Sequence, residues 1–342
     1  MTAATQPLAL EDHAPGVYLR AYLAPFAAVL ADPSVTEVMV NRPGALWVER
    51  MGRPAIERVD APEVNDLLLG RLAAQIARAS RQGVNRENPL LAATLPSGER
   101  IQMVGPPAAL HGWALAIRRH RLIDRGLDAY DRGPLAAQRP AAAVADEEAA
   151  ARADPVGFLK QAVADRRTLL ISGGTSSGKT TFLNALLKQI PAHERILTVE
   201  DTPEIAATQP NQVGLIAVKG ELGEARIGVD DLLQAALRLR PDRIIVGEIR
   251  GSEAATFLRA VNTGHPGSFT TVHANSPEGA LEQIAFMILQ AGVALSRQET
   301  VAYVRSVVDV VVQLGREGGE RRILDLRIIR PGASGVTNQA GA

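Results

Sequence analysis

The residues whose types and spacing point most directly to chemistry lie between Gly173 and Thr181. Gly178, Lys179 and Thr180 complete the pattern G-x-x-x-x-G-K-[ST], which is typical of the phosphate-binding loop of nucleoside triphosphatases. Glycines let backbone amides approach a polyanion, the lysine adds a positive charge, and the threonine hydroxyl is a ligand for Mg²⁺. The predicted nucleotide-binding residues of this loop are Gly173, Gly174, Thr175, Ser176, Ser177, Gly178, Lys179, Thr180 and Thr181.

The flanking residues fit the strand and helix that a phosphate loop requires. Thr168–Ser172 is an apolar run that predicts a buried strand, and Lys179–Gln189 has helical apolar spacing. The alternative is a glycine turn that happens to precede a lysine and a threonine. Because strand, loop and helix follow in the expected order, the sequence favours a site for ATP and Mg²⁺.

Two further strand ends carry acids. Glu200 and Asp201 follow the predicted strand Arg195–Val199, where a carboxylate can join the Mg²⁺ shell or face an attacking water. A solvated turn is an equally good interpretation of this pair from spacing alone. Glu248 follows Arg243–Gly247, and the small Gly247 leaves room for Glu248 to reach toward a γ-phosphate. The alternative is that Glu248 only pairs with Arg250, and the nearby phosphate loop favours the catalytic interpretation.

Two histidines flank the predicted strand Ser268–His273. His273 ends this strand, where a phosphate sensor or proton carrier would lie, and His265 precedes it. A lone histidine is more often structural, and a metal site is disfavoured because no third ligand is suitably spaced. The arginines at 238, 240, 243 and 250 crowd this region, and phosphoryl transfer uses arginine to neutralise charge. For each arginine alone, ordinary surface charge is the stronger interpretation.

From about residue 156 onward, predicted strands and helices alternate along the chain. This alternation predicts a mainly parallel sheet with helices on both faces. In such a sheet, ligands bind at the carboxyl ends of the strands. Besides the strands already given, Gly214–Val218 is predicted as a strand, and Val307–Leu314 and Arg322–Ile329 as a hairpin. Further helices are predicted at Val229–Arg238, Ser252–Asn262 and Pro277–Leu289.

The first part of the chain predicts a smaller α+β domain. Helical spacing covers Val17–Leu30 and Ala61–Arg81, and strand patterns cover Val35–Val40, Ala45–Arg50, Leu90–Leu95, Glu99–Val104 and Trp113–Ile117. The predicted organisation is an α+β domain over 1–120, a linker with an Ala-rich, solvated helical insertion over 121–155, a RecA-like ATPase domain over 156–332, and a disordered tail over 333–342. Residues 1–15 lack periodicity and predict a loose tail.

The composition and charge of the chain argue against several classes of protein and of binding site. Lys and Arg total 37, as do Asp and Glu, so the formal net charge is zero, and aromatic residues make up 4%. Direct nucleic-acid binding is therefore not indicated. The absence of cysteine excludes disulfides and cysteine zinc sites. No apolar run approaches the roughly 18 residues of a membrane span, and the N-terminus lacks a signal-peptide pattern. We therefore expect a cytoplasmic protein that can dock on a membrane complex.

Together, the phosphate loop, Glu200-Asp201, Gly247-Glu248 and the segment from Thr263 to Asn275 resemble the type II/type IV secretion ATPase superfamily. In that family they are the Walker A motif, aspartate box, Walker B motif and histidine box. In the first domain, the segments around Asn41, Arg100 and Arg118 resemble the conjugal-transfer branch, the TrbB-type ATPases. The resemblance implies that Arg100 and Arg118 reach the nucleotide, with ATP lying between the two domains of a subunit.

The resemblance further implies a homohexameric ring. Cycles of ATP binding and hydrolysis would power assembly of, or substrate transfer through, a type IV secretion or conjugal DNA-transfer machine, with the ring attached peripherally to inner-membrane components. Within the mechanism, Thr180 and Glu200 are expected to hold Mg²⁺, with Asp201 shaping the shell of the ion and the water. Either acid site, Glu248 or Glu200-Asp201, is expected to supply the base, and His273, together with His265, to sense the γ-phosphate. Alternatives are a pilus-assembly or pilus-retraction ATPase of the same superfamily, a RecA-type nucleic-acid motor, and an ATP-binding scaffold without turnover.

Overall fold

A computed structural model of the chain describes residues 16–119, 142–218 and 224–330, which form two β-sheets with flanking helices. The predictions for residues 1–15, for most of the linker and for the tail from residue 331 lie outside the described residues. The expected α/β class, with a mainly parallel sheet preceded by a smaller α+β part, is confirmed.

The first sheet has six antiparallel strands in the order β3-β2-β1-β6-β5-β4. Helices α1 and α2 pack against one face through a core that includes Phe26 and Leu72. The helices are α1 (Val17–Ala31) and α2 (Asp66–Ala79), and the strands are β1 (Val35–Val40), β2 (Gly44–Arg50), β3 (Glu57–Ala61), β4 (Leu90–Thr94), β5 (Arg100–Val104) and β6 (Ala114–Arg118).

One predicted helix in this region begins later than expected. The apolar pattern predicted a helix from Ala61, but Ala61 ends β3 and pairs with Gly44 of β2. Helix α2 begins at Asp66, after Asn65, whose side chain accepts a hydrogen bond from the Leu68 amide at 2.9 Å. The N-cap at Asn65 therefore fixes the start of the helix, because its side chain satisfies an otherwise unpaired amide.

The second sheet has seven strands in the order β13-β12-β7-β11-β10-β8-β9. All neighbouring strands run parallel except β12 and β13, which form the predicted antiparallel hairpin. The strands are β7 (Leu169–Gly173), β8 (Ile196–Glu200), β9 (Gln212–Ile216), β10 (Arg243–Val246), β11 (Phe269–Val272), β12 (Val310–Glu317) and β13 (Glu320–Ile328).

Helices cover both faces of this sheet, so its strands are apolar on both sides. On β10, for example, Ile244 and Val246 pack into one cluster while Ile245 packs into the other. Helices α6–α9 contribute to the first cluster and α3–α5 to the second. The helices are α3 (Ala142–Ala153), α4 (Pro155–Ala164), α5 (Lys179–Leu187), α6 (Val229–Ala236), α7 (Glu253–Asn262), α8 (Pro277–Gln290) and α9 (Arg297–Val307).

The Ala-rich segment differs from the solvated helix that its composition predicted. Its helix, α3, packs against α4 and β13, and Ala151 is completely buried. Glu147 of α3 also forms an ion pair with the buried Arg167. The small alanine side chains allow close packing, which composition alone does not separate from solvent exposure. Helix α3 is therefore part of the second core.

The two sheets contact each other along the edge strand β9. The segment at 108–110 runs beside β9, where the Leu110 amide donates to the Gly214 carbonyl at 2.9 Å and the Ile216 amide donates to the Ala108 carbonyl at 2.8 Å. These bonds cover an edge that would otherwise expose unpaired backbone groups. Met39 of the first sheet lies in the same apolar cluster as Leu215 of β9.

A buried polar contact reinforces this junction. The Arg195 guanidinium is fully buried and donates to the side-chain oxygens of Asn41, in the first sheet region, and Asn211, before β9. Its Nε also donates to the Leu239 carbonyl at 3.0 Å. Burial lowers the pKa of Arg195 to about 9.

None of the helices in the described part of the chain has both the length and the apolar character that a membrane span requires.

Candidate nucleotide site

Strand β7 leads into the predicted phosphate loop at the carboxyl edge of the second sheet. A Cβ on Gly173 would lie 2.4 Å from the Ser177 Oγ and 2.9 Å from the Leu314 carbonyl oxygen, so only glycine fits there. Gly178 has φ +89° and Ser176 has φ +61°, both in the left-handed region. Alternation of right- and left-handed residues turns successive amides toward one point, which creates a concave site for an anion.

Lys179 begins helix α5 and folds back over the loop. Its Nζ donates to the Gly173 carbonyl at 3.0 Å, and its side chain is 9% exposed. Burial lowers the pKa of Lys179, and the nearby Glu248 carboxylate opposes that shift. The lysine is therefore held in place by the loop, at the end of a helix whose N-terminal amides favour negative charge.

The strand order brings the predicted acids and His273 to the same side of the loop. His273 follows β11, Glu248 lies after β10, and Glu200 ends β8, and these strands lie next to one another beyond β7. The His273 Nε2 lies 2.9 Å from the Glu248 Oε1, and the Lys179 Nζ lies 3.6 Å from the same oxygen. Arg250 also pairs with Glu248 and lies 3.8 Å from Asp201.

Glu200 has a more enclosed position than Glu248. Its Oε2 accepts hydrogen bonds from the amides of Glu204 and Ile205, each at 2.8 Å. Burial raises the pKa of Glu200, and these two amides oppose the rise. A Cβ on Gly247 would lie 3.3 Å from the Glu200 Cγ. The small residue before Glu248 therefore makes room for Glu200, which differs from the predicted reason that it extends the reach of Glu248.

These residues surround a cavity of about 520 Å³, within the usual range for small-molecule sites. Arg250 and Arg321 also line the cavity. The predicted residues on its wall are Gly174, Thr175, Ser176, Ser177, Gly178, Lys179, Thr180, Thr181, Glu200, Asp201, Glu248 and His273.

The chemistry of the available donors suits Mg²⁺ bound together with phosphate. Thr180 and Glu200 offer oxygen atoms at the cavity wall, and oxygen is the ligand that Mg²⁺ requires. Across the described residues, no group of three or more His, Cys, Asp or Glu could hold a metal ion on its own. The two protein oxygens therefore fit an ion that takes its remaining ligands from phosphate and water.

Arg100, Arg118 and His265 lie elsewhere. They line a second cavity, of about 720 Å³, between the first sheet and the loops near Pro241 and Gly264. The expectation that Arg100, Arg118 and His265 reach the nucleotide of their own chain does not fit this arrangement, because none of them lines the cavity of the phosphate loop. The loops that line the second cavity precede β10 and β11, at the amino ends of these strands, whereas the phosphate loop follows the carboxyl end of β7, which accounts for the separation.

One predicted histidine and three predicted arginines lie outside the cavity of the phosphate loop. The His265 Nδ1 lies 3.0 Å from the Pro241 carbonyl oxygen, and burial lowers the pKa of the ring. Arg243 is fully buried and pairs with both oxygens of Glu194 at 2.6 and 2.9 Å, so it holds the fold together. Arg238 and Arg240 line the second cavity.

Comparison with known proteins places the chain in a family. Residues 141–322 match the family described as "Type II/IV secretion system protein". The chain belongs to this secretion family. The Type IV secretion system protein VirB11 of Bartonella quintana (strain Toulouse) is 37% identical over 326 residues, which cover 89% of this chain and 91% of the relative. The Type IV secretion system protein PtlH of Bordetella pertussis is 37% identical over 315 residues, covering 87% and 91%.

A solved structure of a member of the secretion family has the same fold over nearly the whole chain. The crystal structure of the VirB11 ATPase from the Brucella suis type IV secretion system, in complex with sulphate, superposes with a TM-score of 0.83 at 34% identity. It covers 92% of this chain and 95% of the other. The resemblance to secretion ATPases is therefore confirmed, and the alternative of a RecA-type nucleic-acid motor is not favoured.

Arg321 is the wall residue that sequence reasoning missed. It lies 140 or more positions from the phosphate loop, in a hairpin with no motif of its own, and only the pairing of that hairpin with β7 brings it to the site. The sole signal in the sequence was an arginine-rich hairpin after the last helix. Such a signal does not separate a site residue from surface charge.

Proposed function

We propose that this protein is a hexameric ATPase that couples ATP hydrolysis to assembly of, or substrate transfer through, a type IV secretion or conjugal DNA-transfer machine. The observation that carries the proposal is the convergence of Lys179, Glu248 and His273, from three different strand ends, on the cavity of the phosphate loop. Relatives that cover most of the chain carry type IV secretion names, and the superposed VirB11 structure is described as an ATPase.

In this proposal the loop holds the phosphates of ATP. The amides between Gly174 and Gly178 and the charge on Lys179 face the β- and γ-phosphates. Thr180 and Glu200 hold Mg²⁺ together with the phosphates, and the ion supplies charge neutralisation during transfer. Glu200 keeps one oxygen on the amides of Glu204 and Ile205, so its other oxygen is the one that faces the cavity.

Glu248 is the proposed base for the attacking water. Its carboxylate lies at the centre of the acid side of the cavity and receives Lys179, His273 and Arg250. A γ-phosphate would compete for Lys179 and His273, because it carries more negative charge than one carboxylate and also accepts charge-assisted hydrogen bonds. The exchange would release Glu248 to orient water, while His273 would then contact the γ-phosphate and Asp201 would hold Arg250.

Arg100 and Arg118 are proposed to act across a subunit boundary. Both are exposed, neither side chain has a hydrogen bond or ion pair in the described ranges, and Arg118 lies beside Glu37 in the sheet. Since they do not reach the loop of their own chain, a nucleotide held by a neighbouring copy is the partner that a ring would bring to this cavity. His265 would then support this surface through its contact with Pro241.

Mixed hexamers test the proposal directly. Lys179→Ala and Arg118→Ala are each expected to abolish turnover, since one lacks the phosphate lysine and the other the charge supplied to its neighbour. When the two variants are refolded together, steady-state turnover is expected to return to roughly a quarter of the wild-type rate per site, because random rings place a competent loop beside a competent arginine at about that frequency.

Comparison of two mixtures shows whether Arg118 acts on the site of a neighbouring subunit. Lys179→Ala mixed with Glu248→Gln is the control, because both changes damage the same side of the site and no subunit pairing repairs it. Rescue in the first mixture but not in the control supports an arginine acting in trans. No rescue in either mixture, with an active wild-type ring and an inactive Arg118→Ala ring, would show that Arg118 acts within its own chain. Wild-type turnover by the Arg118→Ala ring alone would show that Arg118 has no role.

The proposal also includes the location of the ring and its partners. We infer a cytoplasmic ring that associates peripherally with inner-membrane components of a secretion or conjugation complex. The balanced net charge supports a protein partner rather than nucleic acid as the contact. Pilus assembly or retraction by a member of the same superfamily would share the chemistry, and the comparisons do not favour it.

A further inference from the structure

The phosphate loop has two different neighbours in the second sheet. On one side lie β11, β10 and β8, whose ends carry His273, Glu248 and Glu200. On the other side lie β12 and then β13. The acids and His273 mark the side where the γ-phosphate and the attacking water belong. The rest of a nucleotide must therefore leave the loop in another direction, and β13 contributes Arg321 to the cavity wall.

Strand pairing fixes the position of Arg321 relative to the loop. Strand β12 runs parallel to β7, with Leu314 beside Gly173 at the start of the loop. Strand β13 then returns antiparallel to β12, with Arg321 opposite Arg316. Between them, Gly318 and Gly319 make the turn with φ +61° and +88°. Two continuous sets of ladder hydrogen bonds thus connect Arg321 to the loop.

The side chain of Arg321 lies across the last glycine of the loop. A Cβ added to Gly178 would be 2.7 Å from the Arg321 Cδ and 3.2 Å from its Nε. The guanidinium begins at that Nε, so it lies beside the N-terminus of α5 and at the wall of the phosphate cavity. Both of these features favour an anion at this point.

Arg321 also differs from its neighbours in its charge partners. Arg322 pairs with Glu320 at 2.8 Å, and Arg327 lies 3.3 Å from Asp325. For the side chain of Arg321, no acid or other hydrogen-bonding partner is found within the described ranges, and the residue opposite it is another arginine, Arg316. Like charges directly opposite each other on a sheet are destabilising, and a bound polyanion relieves that repulsion.

We propose that Arg321 is a nucleotide-binding residue that contacts the α- and β-phosphates from the side of the loop opposite the acids. The inference rests on the proposed ATPase function and assigns a new contact within that site. A guanidinium presents a planar fork that matches phosphate oxygens, so Arg321 and Lys179 would hold the phosphate chain from two sides. Because these phosphates change little during hydrolysis, Arg321 contributes to binding rather than to the chemical step.

Calorimetric titration of the full-length protein with ADP, and separately with inorganic tripolyphosphate, tests the assignment. Arg321→Gln is expected to weaken binding of both ligands by about tenfold, which is the loss of one exposed charged hydrogen bond. At saturating ATP, kcat is expected to stay within about twofold of wild type while KM rises. Arg322→Gln is the matched control, and it is expected to leave both affinities unchanged because Arg322 pairs with Glu320.

The results with ADP and with tripolyphosphate together show whether the Arg321 assignment or the ATPase function is wrong. Unchanged ADP and tripolyphosphate affinities in Arg321→Gln would overturn the assignment. Weaker ADP binding with unchanged tripolyphosphate binding would also overturn it, since Arg321 would then contact the base or ribose. A wild-type protein that binds neither ligand would instead remove the ATPase function itself. Arg321→Lys keeps the charge without the fork and is expected to recover only part of the affinity.

Discussion

Glu248 is the residue on which three positively charged or protonatable side chains converge. Lys179 approaches from the phosphate loop, His273 from the end of β11, and Arg250 from the turn that follows Glu248 itself. In Glu200, by comparison, one carboxylate oxygen accepts hydrogen bonds from two backbone amides. A base must be able to exchange its partners for water, and side chains are exchanged more easily than the backbone amides of the turn that follows the acid itself. Geometry thus favours Glu248 over Glu200 as the base.

Replacing Glu248 with glutamine is expected to preserve ATP binding and to lower kcat by about 100-fold or more, because general bases contribute on that scale. Glu200→Gln is expected to lower kcat less, with a rise in the Mg²⁺ concentration needed for half-maximal rate. Single-turnover hydrolysis together with equilibrium binding of ATP measures both effects. The control is Glu282→Gln, which removes a surface acid paired with Arg297 at 2.8 Å, far from the cavity.

The opposite ranking would contradict the assignment of Glu248. If Glu248→Gln hydrolysed ATP at nearly the wild-type rate while Glu200→Gln did not, then Glu200 would be the base. The cluster of Lys179, His273 and Arg250 would in that case be a structural ion-pair network.

The meeting of the phosphate loop and the acids at one cavity could be predicted from sequence because each motif is local. A loop such as Gly173–Thr181 binds phosphate with its own amides, and the acids are found by their position after apolar strands. The role of Gly247 was misjudged because its close neighbour is Glu200, which lies on a different strand. Arg321 was missed for the same reason: its position depends on strand pairing. Contacts between strands leave no trace in residue spacing.

At the scale of elements, β1 carries an acid with an unusual environment. Glu37 is 7% exposed and lies between Glu49 on β2 and Arg118 on β6. Its Oε2 is 3.9 Å from the Arg240 Nε across the junction with the second sheet. Burial raises the pKa of Glu37 to about 7, Glu49 adds to the rise, and Arg118, Arg240 and Arg195 oppose it. The junction between the sheets therefore contains a group that titrates near neutral pH.

This raised pKa predicts a pH dependence of stability. The folded pKa lies above the unfolded value of 4.5, so the folded state holds the Glu37 proton more tightly. The resulting stabilisation is fully present below about pH 4.5 and is lost as the pH rises through about 7, with a total change of roughly 3 kcal/mol. Urea unfolding of wild type and Glu37→Gln between pH 5 and pH 8 measures it.

The difference in unfolding free energy between the two proteins isolates Glu37 from other titrating groups. Glutamine does not titrate, so Glu37→Gln is expected to gain stability relative to wild type as the pH rises. Glu57→Gln, which changes a more exposed acid on β3 that pairs with Arg50, is the control and is expected to show no such trend. A constant difference between wild type and Glu37→Gln across this range would contradict the raised pKa.

Elements with strong internal patterns were predicted, and elements that depend on distant contacts were not. The five parallel strands of the ATPase part and the final hairpin appear close to their predicted positions because alternating or continuous apolar runs specify them. Strand β3, with the sequence ERVDA, is largely polar and forms because β2 provides a partner. Helix α9 was missed because its sequence is polar overall, although Ser296 and Glu299 form a capping box at its start.

At the scale of the whole molecule, the two sheets form one continuous body through β9 and the Arg195 contacts. Arg195 lies directly before β8, whose last residue is Glu200 at the cavity, and it bonds to Asn41 in the first sheet region. The strand that ends at the cavity is therefore bonded at its other end to the first sheet region. Such a connection is what a motor requires in order to pass the state of its nucleotide site to a second domain.

The two cavities also suggest how a ring would be completed. One cavity carries the phosphate loop and the acids, and the other carries Arg100, Arg118 and Arg238, with the buried Glu37 beside Arg118. A cyclic arrangement would bring the second cavity of each subunit toward the first cavity of the next. Sequence could suggest the arginines through resemblance, but only the structure separates them from the loop of their own chain.

A ring ATPase built around the phosphate loop is tested by steady-state ATP hydrolysis measured across fractions from size-exclusion chromatography. Wild type and Lys188→Ala, which changes an exposed lysine at the end of α5, are expected to hydrolyse ATP in a hexamer-sized fraction. Lys179→Ala is expected to form the same fraction with turnover reduced by about 100-fold or more, since it lacks the charge on the phosphates. Turnover that follows a monomer-sized fraction, or that survives in Lys179→Ala, would contradict a ring ATPase built around this loop.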